Sequence, residues 1–168
     1  MSITSTAHLN FRGDARQALE FYHSVFGGQL MIATYGQFGV PQDDPNGGPV
    51  TFGPVDSDSP DADHVAFGVV ADDNGFRVAA YDVFAGTGGG IAGTSEETAR
   101  RAGGLTHDES FFLLLNGDTP DEIRPLWDKL ADGALVIAPL ATAQSAAPAY
   151  GMLTDRFGVT WIFGVTPN

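Results

Sequence analysis

Hydrophobic and polar positions alternate with two different periods near the start of the chain. Leu9 and Phe11 alternate with polar neighbours, the period of a strand that is buried on one face. Over residues 15–26 the apolar positions recur at helical spacing, and Asp14 and Gln17 stand where a capping box would lie. Two glycines then end the helix, and another apolar run follows. The pattern predicts strand, helix and strand in this order.

The same order recurs in the second half of the chain. Residues 111–115 form an apolar strand pattern, Pro120 suits the first turn of a helix, and Gly133 marks its end. In each half two more strands follow as a hairpin, over 64–82 and 149–165. An internal repeat changes the prediction for the whole fold. We therefore predict an α+β protein of two βαβββ modules with mixed sheets.

The modules are separated by segments of different composition. Residues 36–63 are rich in Gly, Pro and Asp, which predicts a long loop with a short strand near Phe52. The first module is expected at about 5–84, a linker at about 85–108, and the second module at about 109–168. The two modules together would form a single domain.

The helix of each module covers only one face of its sheet. The other face must meet the opposite module or a second subunit, and this leaves a sheet-lined cavity for a ligand. The candidate residues of the cavity wall are chosen by the face of the strand on which they lie and by their aromatic character. Ordinary core packing is the competing interpretation for the aromatic members. The candidates are His8, Asn10, Phe111, Leu113, Tyr150 and Trp161.

Composition excludes several classes of function. The net charge of −13 and the pI near 4.3 argue against binding to nucleic acid or to anionic membranes. The chain has no cysteine, which removes disulfides, thiolate catalysis and cysteine metal sites. No run approaches the roughly 20 apolar residues of a membrane span. The first residues show no signal pattern, so we expect a cytoplasmic protein.

Several motifs together resemble the vicinal oxygen chelate superfamily, which includes glyoxalase I, extradiol dioxygenases and bleomycin-resistance proteins. They are Leu9-Asn-Phe-Arg-Gly-Asp14, Ala18-Leu-Glu-Phe-Tyr22, Val25-Phe-Gly-Gly28 and Tyr150-Gly151. The closing Asp155-Arg-Phe-Gly-Val-Thr-Trp161 looks like a motif of the PhnB-like branch, with Arg156 in place of proline. The resemblance implies a glyoxalase-like fold whose sheets curl around a cavity.

The resemblance also implies a divalent metal, such as Zn, Mn, Ni or Fe, held by His, Glu or Gln on the first and last strands of each module. His8 lies at such a position or one residue from it, whereas the corresponding places in the second module are apolar, at Phe111 or Phe112 and near Ile162. His8, His64 and Asp82 could instead form a rebuilt site of two histidines and a carboxylate. In the competing interpretation, His8 is a polar wall residue and His64 opens a strand near the surface.

Two functions from different classes remain open at this stage. One is a metal-assisted enzyme that acts on a small oxygenated metabolite. The other is a metal-free protein that binds or sequesters a cationic or aromatic small molecule, like the bleomycin-resistance proteins. The resemblance further implies a homodimer. The sequence itself establishes no catalytic residue and no cofactor.

Overall fold

The computed structural model describes residues 5–42, 51–83, 112–141 and 150–165. The chain divides into two compact units, residues 1–95 and 96–168. The predicted linker at 85–108 lies outside the described residues, and the exact module boundaries stay predictions. In the part of the chain that is described, no helix is long and apolar enough to cross a membrane.

The first unit contains the predicted βαβββ module and a small insertion. Its sheet has the strand order β1-β6-β5-β2, in which β1 runs parallel to β6 and the other pairs are antiparallel. The predicted mixed sheet is confirmed. The elements are β1 (Ala7–Phe11), α1 (Ala15–Phe26), β2 (Gln29–Thr34), α2 (Tyr35–Phe38), β3 (Val40–Gln42), β4 (Thr51–Gly53), a 3-10 turn (Pro60–Asp63), β5 (Val65–Ala71) and β6 (Arg77–Asp82).

The insertion between β2 and β5 has more structure than the predicted loop. The short strand near Phe52 is confirmed as β4, which pairs with β3 in a separate hairpin. Pattern analysis missed α2 because a single helical turn has no periodicity. It is held instead by a tertiary contact: Tyr35 is buried, and its hydroxyl donates to the backbone oxygen of Asp82 at 2.7 Å.

The second unit repeats the topology of the first. Its sheet has the order β7-β10-β9-β8, again with the first and last strands parallel. The repeat predicted from the sequence is thus confirmed at the level of strand order. The elements are β7 (Leu113–Gly117), α3 (Pro120–Leu130), β8 (Leu135–Ala141), β9 (Tyr150–Thr154) and β10 (Thr160–Val165).

Each helix packs on its own sheet over a glycine. A Cβ atom at Gly68 of β5 would collide with Leu19 Cδ1 of α1. A Cβ atom at Gly151 of β9 would lie 2.7 Å from Trp127 Cζ3 of α3. The two glycines stand on the third strand of their modules, so the same close approach is built twice.

The predicted capping box at the start of α1 is wrong. The Asp14 side chain makes no capping hydrogen bond. The Ala15 N–H instead donates to Asp82 Oδ1 at 3.0 Å, so a carboxylate from β6 caps the helix. Sequence patterns that search only a few residues ahead cannot detect a cap supplied from a distant strand.

Candidate functional site

Three rings meet on the face of the first sheet that α1 leaves uncovered. His8 on β1 lies with its ring centroid 5.0 Å from that of Tyr81 on β6, and the planes are tilted by 38°. The His8 ring is also stacked on Phe67 of β5, at 6.0 Å and 20°. We call His8, Phe67 and Tyr81 the ring cluster.

Strand register explains why these rings meet. His8 pairs with Ala79 of β6, and Tyr81 and Phe67 share the parity that points away from α1. Ala79 is small and buried, so the rings of His8 on β1 and Phe67 on β5 can lean towards each other across it. The cluster is therefore a consequence of β1 lying beside β6, which hydrophobic periodicity alone does not reveal.

The surroundings of the ring cluster are mixed in polarity. Asn10 is exposed on the same face, one pleat further along β1. Met31 on the edge strand β2 has 51% of its surface exposed, and Phe67 has 37%. The His8 imidazole and the Asn10 amide can both form hydrogen bonds. This face can thus offer stacking surface and polar groups together.

Asp82 lies on the opposite face, beneath the start of α1. It is 1% exposed, and its carboxylate accepts three backbone N–H groups. Oδ1 accepts from Gly13 at 2.7 Å and from Ala15 at 3.0 Å, and Oδ2 accepts from Val65 at 2.9 Å. We call these contacts the Asp82 hub. The hub joins β1, α1 and β5 at one end of the sheet.

His64 lies beside the hub. Its Nδ1 is 3.7 Å from Asp82 Oδ2, and its Nε2 is 4.0 Å from Asp61 Oδ1. At Asp14, burial, and then the negative charge of Asp82, raise the pKa of the carboxyl. Burial also raises the pKa of Tyr35 to about 12, with smaller contributions from the charges of Tyr81 and Asp82. These groups form a structural polar cluster.

The rebuilt metal site does not fit this geometry. His8 pairs with Ala79 while Asp82 pairs with Phe11, and side chains an odd number of residues apart on a strand point to opposite faces. His8 and Asp82 therefore do not converge. The carboxylate would also have to abandon buried N–H donors to bind an ion. Among the described residues, no group of three or more His, Asp or Glu side chains is arranged to hold a metal.

The predicted wall residues of the second unit fall in different places. Trp161 is 1% exposed, and its Nε1 donates to Asp155 Oδ2 at 2.8 Å within the core. Leu113 pairs with Trp161 and shares the face that α3 covers. Tyr150 is 46% exposed, with its hydroxyl 3.7 Å from Met152 Sδ. Phe111 lies outside the described residues.

Sequence reasoning missed Phe67 as a member of the site. Phe67 is two residues before Val69 on β5, so both side chains point to the same face of the sheet. Alignment of the β5–β6 hairpin would have placed Phe67 opposite Tyr81. The turn at residues 72–75 was enough to set this register, because it joins the two strands directly.

A model of the Glyoxalase/Bleomycin resistance protein/Dioxygenase superfamily matches residues 6–163. The chain belongs to this superfamily. The resemblance stated from the sequence motifs is confirmed. No curated protein matches the chain.

Solved structures agree with the fold. Protein PA1353 from Pseudomonas aeruginosa is 25% identical with a TM-score of 0.65, and the match covers 99% of this chain and 100% of that one. A putative 3-demethylubiquinone-9 3-methyltransferase, PhnB protein, from Bacillus cereus is 21% identical with a TM-score of 0.55, covering 98% and 100%.

The fosfomycin resistance protein FosX from Listeria monocytogenes is 10% identical with a TM-score of 0.51, covering 100% of this chain and 94% of that one. At such identities the PhnB and FosX structures support the fold alone. The predicted homodimer and cytoplasmic location stay predictions.

Proposed function

We propose that this glyoxalase-superfamily protein binds a planar aromatic small molecule against the ring cluster of the first sheet. The observation that carries the proposal is the meeting of His8, Phe67 and Tyr81 on the face that α1 leaves uncovered. Partly exposed rings offer stacking surface to a flat ligand. The net charge of −13 favours ligands that also carry a positive charge.

Binding without metal assistance is favoured over the metal-assisted alternative. The histidine and the carboxylate nominated as ligands point to opposite faces of the sheet. The His8 ring packs against two aromatic rings, an environment that suits a wall residue. Sequestration of a small molecule requires shape and stacking only, so the incomplete ligand set is no obstacle to it.

The test compares two dyes with the same fused-ring system, one with a fixed positive charge and one neutral. Fluorescence titration of the unmodified protein is expected to show saturable binding of the charged dye, and weaker binding of the neutral one. His8→Ala and Tyr81→Ala should each weaken binding by several-fold to about tenfold, because an aromatic contact contributes about 0.5–1.5 kcal/mol.

His23→Ala is the matched control, because His23 lies on α1 and contacts Gly28 O at 3.3 Å, away from the ring cluster. Its dye affinity should equal that of the parent. Unchanged affinity in both ring variants would refute the proposed site. Elemental analysis separates the alternatives: near-stoichiometric metal that disappears in His8→Ala would support the metal-dependent enzyme instead.

A further inference from the structure

The described residues contain two Asn-Gly pairs in contrasting surroundings. Asn74-Gly75 lies at the tip of the β5–β6 hairpin, and Asn116-Gly117 forms the last two residues of strand β7, paired with β10. An asparagine followed by glycine is prone to intramolecular attack, because glycine leaves the next backbone nitrogen unshielded. Whether the attack occurs in a folded protein depends on whether the backbone can rotate into the reactive geometry.

The hairpin tip satisfies that requirement. Asn74 and Gly75 are exposed, and Gly75 has a φ of 101° with nothing within 4 Å of a Cβ built on it. The base of the turn is held by Asp72, whose Oδ1 accepts from Asn74 N at 2.9 Å and from Phe76 N at 2.8 Å. Within the described residues, the Gly75 N–H has no acceptor.

One contact opposes the reaction only weakly. Asn74 Nδ2 donates to Asp72 Oδ2 at 3.3 Å, and both groups are exposed to solvent. A long, exposed hydrogen bond of this kind competes with water and contributes little. The Asn74 side chain is therefore free to exchange this contact for the reactive geometry.

The backbone of Asn116-Gly117 in β7 cannot rotate in this way. Asn116 pairs with Gly164 and Gly117 with Val165 of β10, so the backbone stays in the extended strand conformation. The position of Gly117 is also crowded, since a Cβ there would lie 2.7 Å from Ile123 Cγ2 of α3. Ring closure at Asn116 requires the end of β7 to separate from β10 first.

We propose that Asn74 is a site of spontaneous deamidation and isoaspartate formation in the folded protein. The Gly75 nitrogen attacks Asn74 Cγ and loses its proton to water. The new N–Cγ bond forms and the Cγ–Nδ2 bond breaks, and Nδ2 takes up a proton from water and leaves as ammonia. One water then opens the five-membered imide at either carbonyl, which yields aspartate or isoaspartate. No oxidant or reductant takes part.

The product adds a negative charge next to Asp72 and Asp73 at the hairpin tip. In the isoaspartate form the backbone is also longer by one methylene group. Both changes fall on the connection between the two strands that carry Phe67 and Tyr81. The inference does not depend on the proposed ligand site, since it rests on backbone geometry alone.

The test is a time course of the full-length protein at mildly alkaline pH, followed by peptide mapping with fragmentation that assigns each change to one residue. Deamidation at Asn74 should be at least about tenfold faster than at Asn116, a ratio that corresponds to a strand opening cost of only about 1.4 kcal/mol. In concentrated urea the two rates should become similar, since the strand no longer protects Asn116.

Asn74→Gln is the control variant, because closing the larger ring from glutamine is much slower. In the peptide map it should lose the aspartate and isoaspartate products at residue 74, whereas any products at the Asn46-Gly47 pair of the sequence should be unchanged. Equal rates at the two asparagines in the folded protein would overturn the proposal. So would an Asn74 that stays intact when folded but reacts in urea.

Discussion

At the scale of single residues, Asp82 shows how a buried charge can organise local structure. A carboxylate is expensive to bury unless it is well satisfied. Here three backbone N–H groups satisfy it, and one of them belongs to the first turn of α1, where the helix dipole favours a negative charge. Asp82 is therefore a structural residue, although its residue type and position first suggested a metal ligand.

Removal of this carboxylate should destabilise the fold strongly. Asp82→Ala leaves two buried donors and one part-buried donor without an acceptor, and each buried group costs about 1–3 kcal/mol, so we expect a loss of at least about 2 kcal/mol. Asp82→Asn should lose less, because its amide oxygen still accepts. Urea denaturation measures both variants, with the exposed Asp73→Asn as the control. A loss below about 1 kcal/mol in Asp82→Ala would contradict the structural role.

At the scale of elements, the two modules use the same arrangement with different side chains. In each, a helix crosses a sheet with the parallel pair at one edge, and a glycine on the third strand accepts the helix. The side chain over the glycine is Leu19 in the first unit and Trp127 in the second. The repeat therefore preserves the packing geometry while the residues that fill it differ.

Substitution of either glycine by alanine should push helix and sheet apart. We expect Gly68→Ala and Gly151→Ala each to cost about 1–3 kcal/mol, the usual cost of overpacking a core. Thermal or urea unfolding measures the loss. The double variant Gly68→Ala with Leu19→Ala tests the cause, since a vacated Leu19 position should make the added methyl group less costly. Fully additive losses would argue against the contact.

At the scale of the whole molecule, charge is the dominant feature. A net charge of −13 on 168 residues creates repulsion that the folded state concentrates into a smaller volume. The ion pair between Arg156 and Asp132, at 2.6 Å, is exposed, and an exposed pair offsets little of this repulsion. Long-range repulsion should therefore outweigh the local attraction.

Added salt should stabilise the protein for this reason. Raising the ionic strength from about 0.01 to about 0.15 M shortens the screening length from roughly 30 to roughly 8 Å, which weakens repulsion between distant carboxylates. We expect the thermal midpoint to rise with sodium chloride over this range. Arg156→Gln should keep the same upward trend, since the exposed ion pair that it removes contributes little. A midpoint that falls with salt would show that local attraction dominates.

The sequence by itself determined the α+β class, the two modules, most strand and helix positions and the superfamily. These follow from information local to each segment: periodicity, glycine stops and short motifs that recur in order. The internal repeat strengthened the prediction because both halves of the chain show the same order of strands and helix, so each supports the assignment of the other. The strand near Phe52 was within reach for the same local reason.

Only the tertiary structure decided which side chains meet. The pairing of β1 with β6 brings His8 to Tyr81 and Phe67 and turns Asp82 to the opposite face, and this pairing joins residues far apart in the sequence. A long-range contact also replaced the predicted Asp14 cap with Asp82, and packing within the second unit buried Trp161. Local patterns contain the period of a strand but not its neighbour, so the fold was predictable and the candidate site was not.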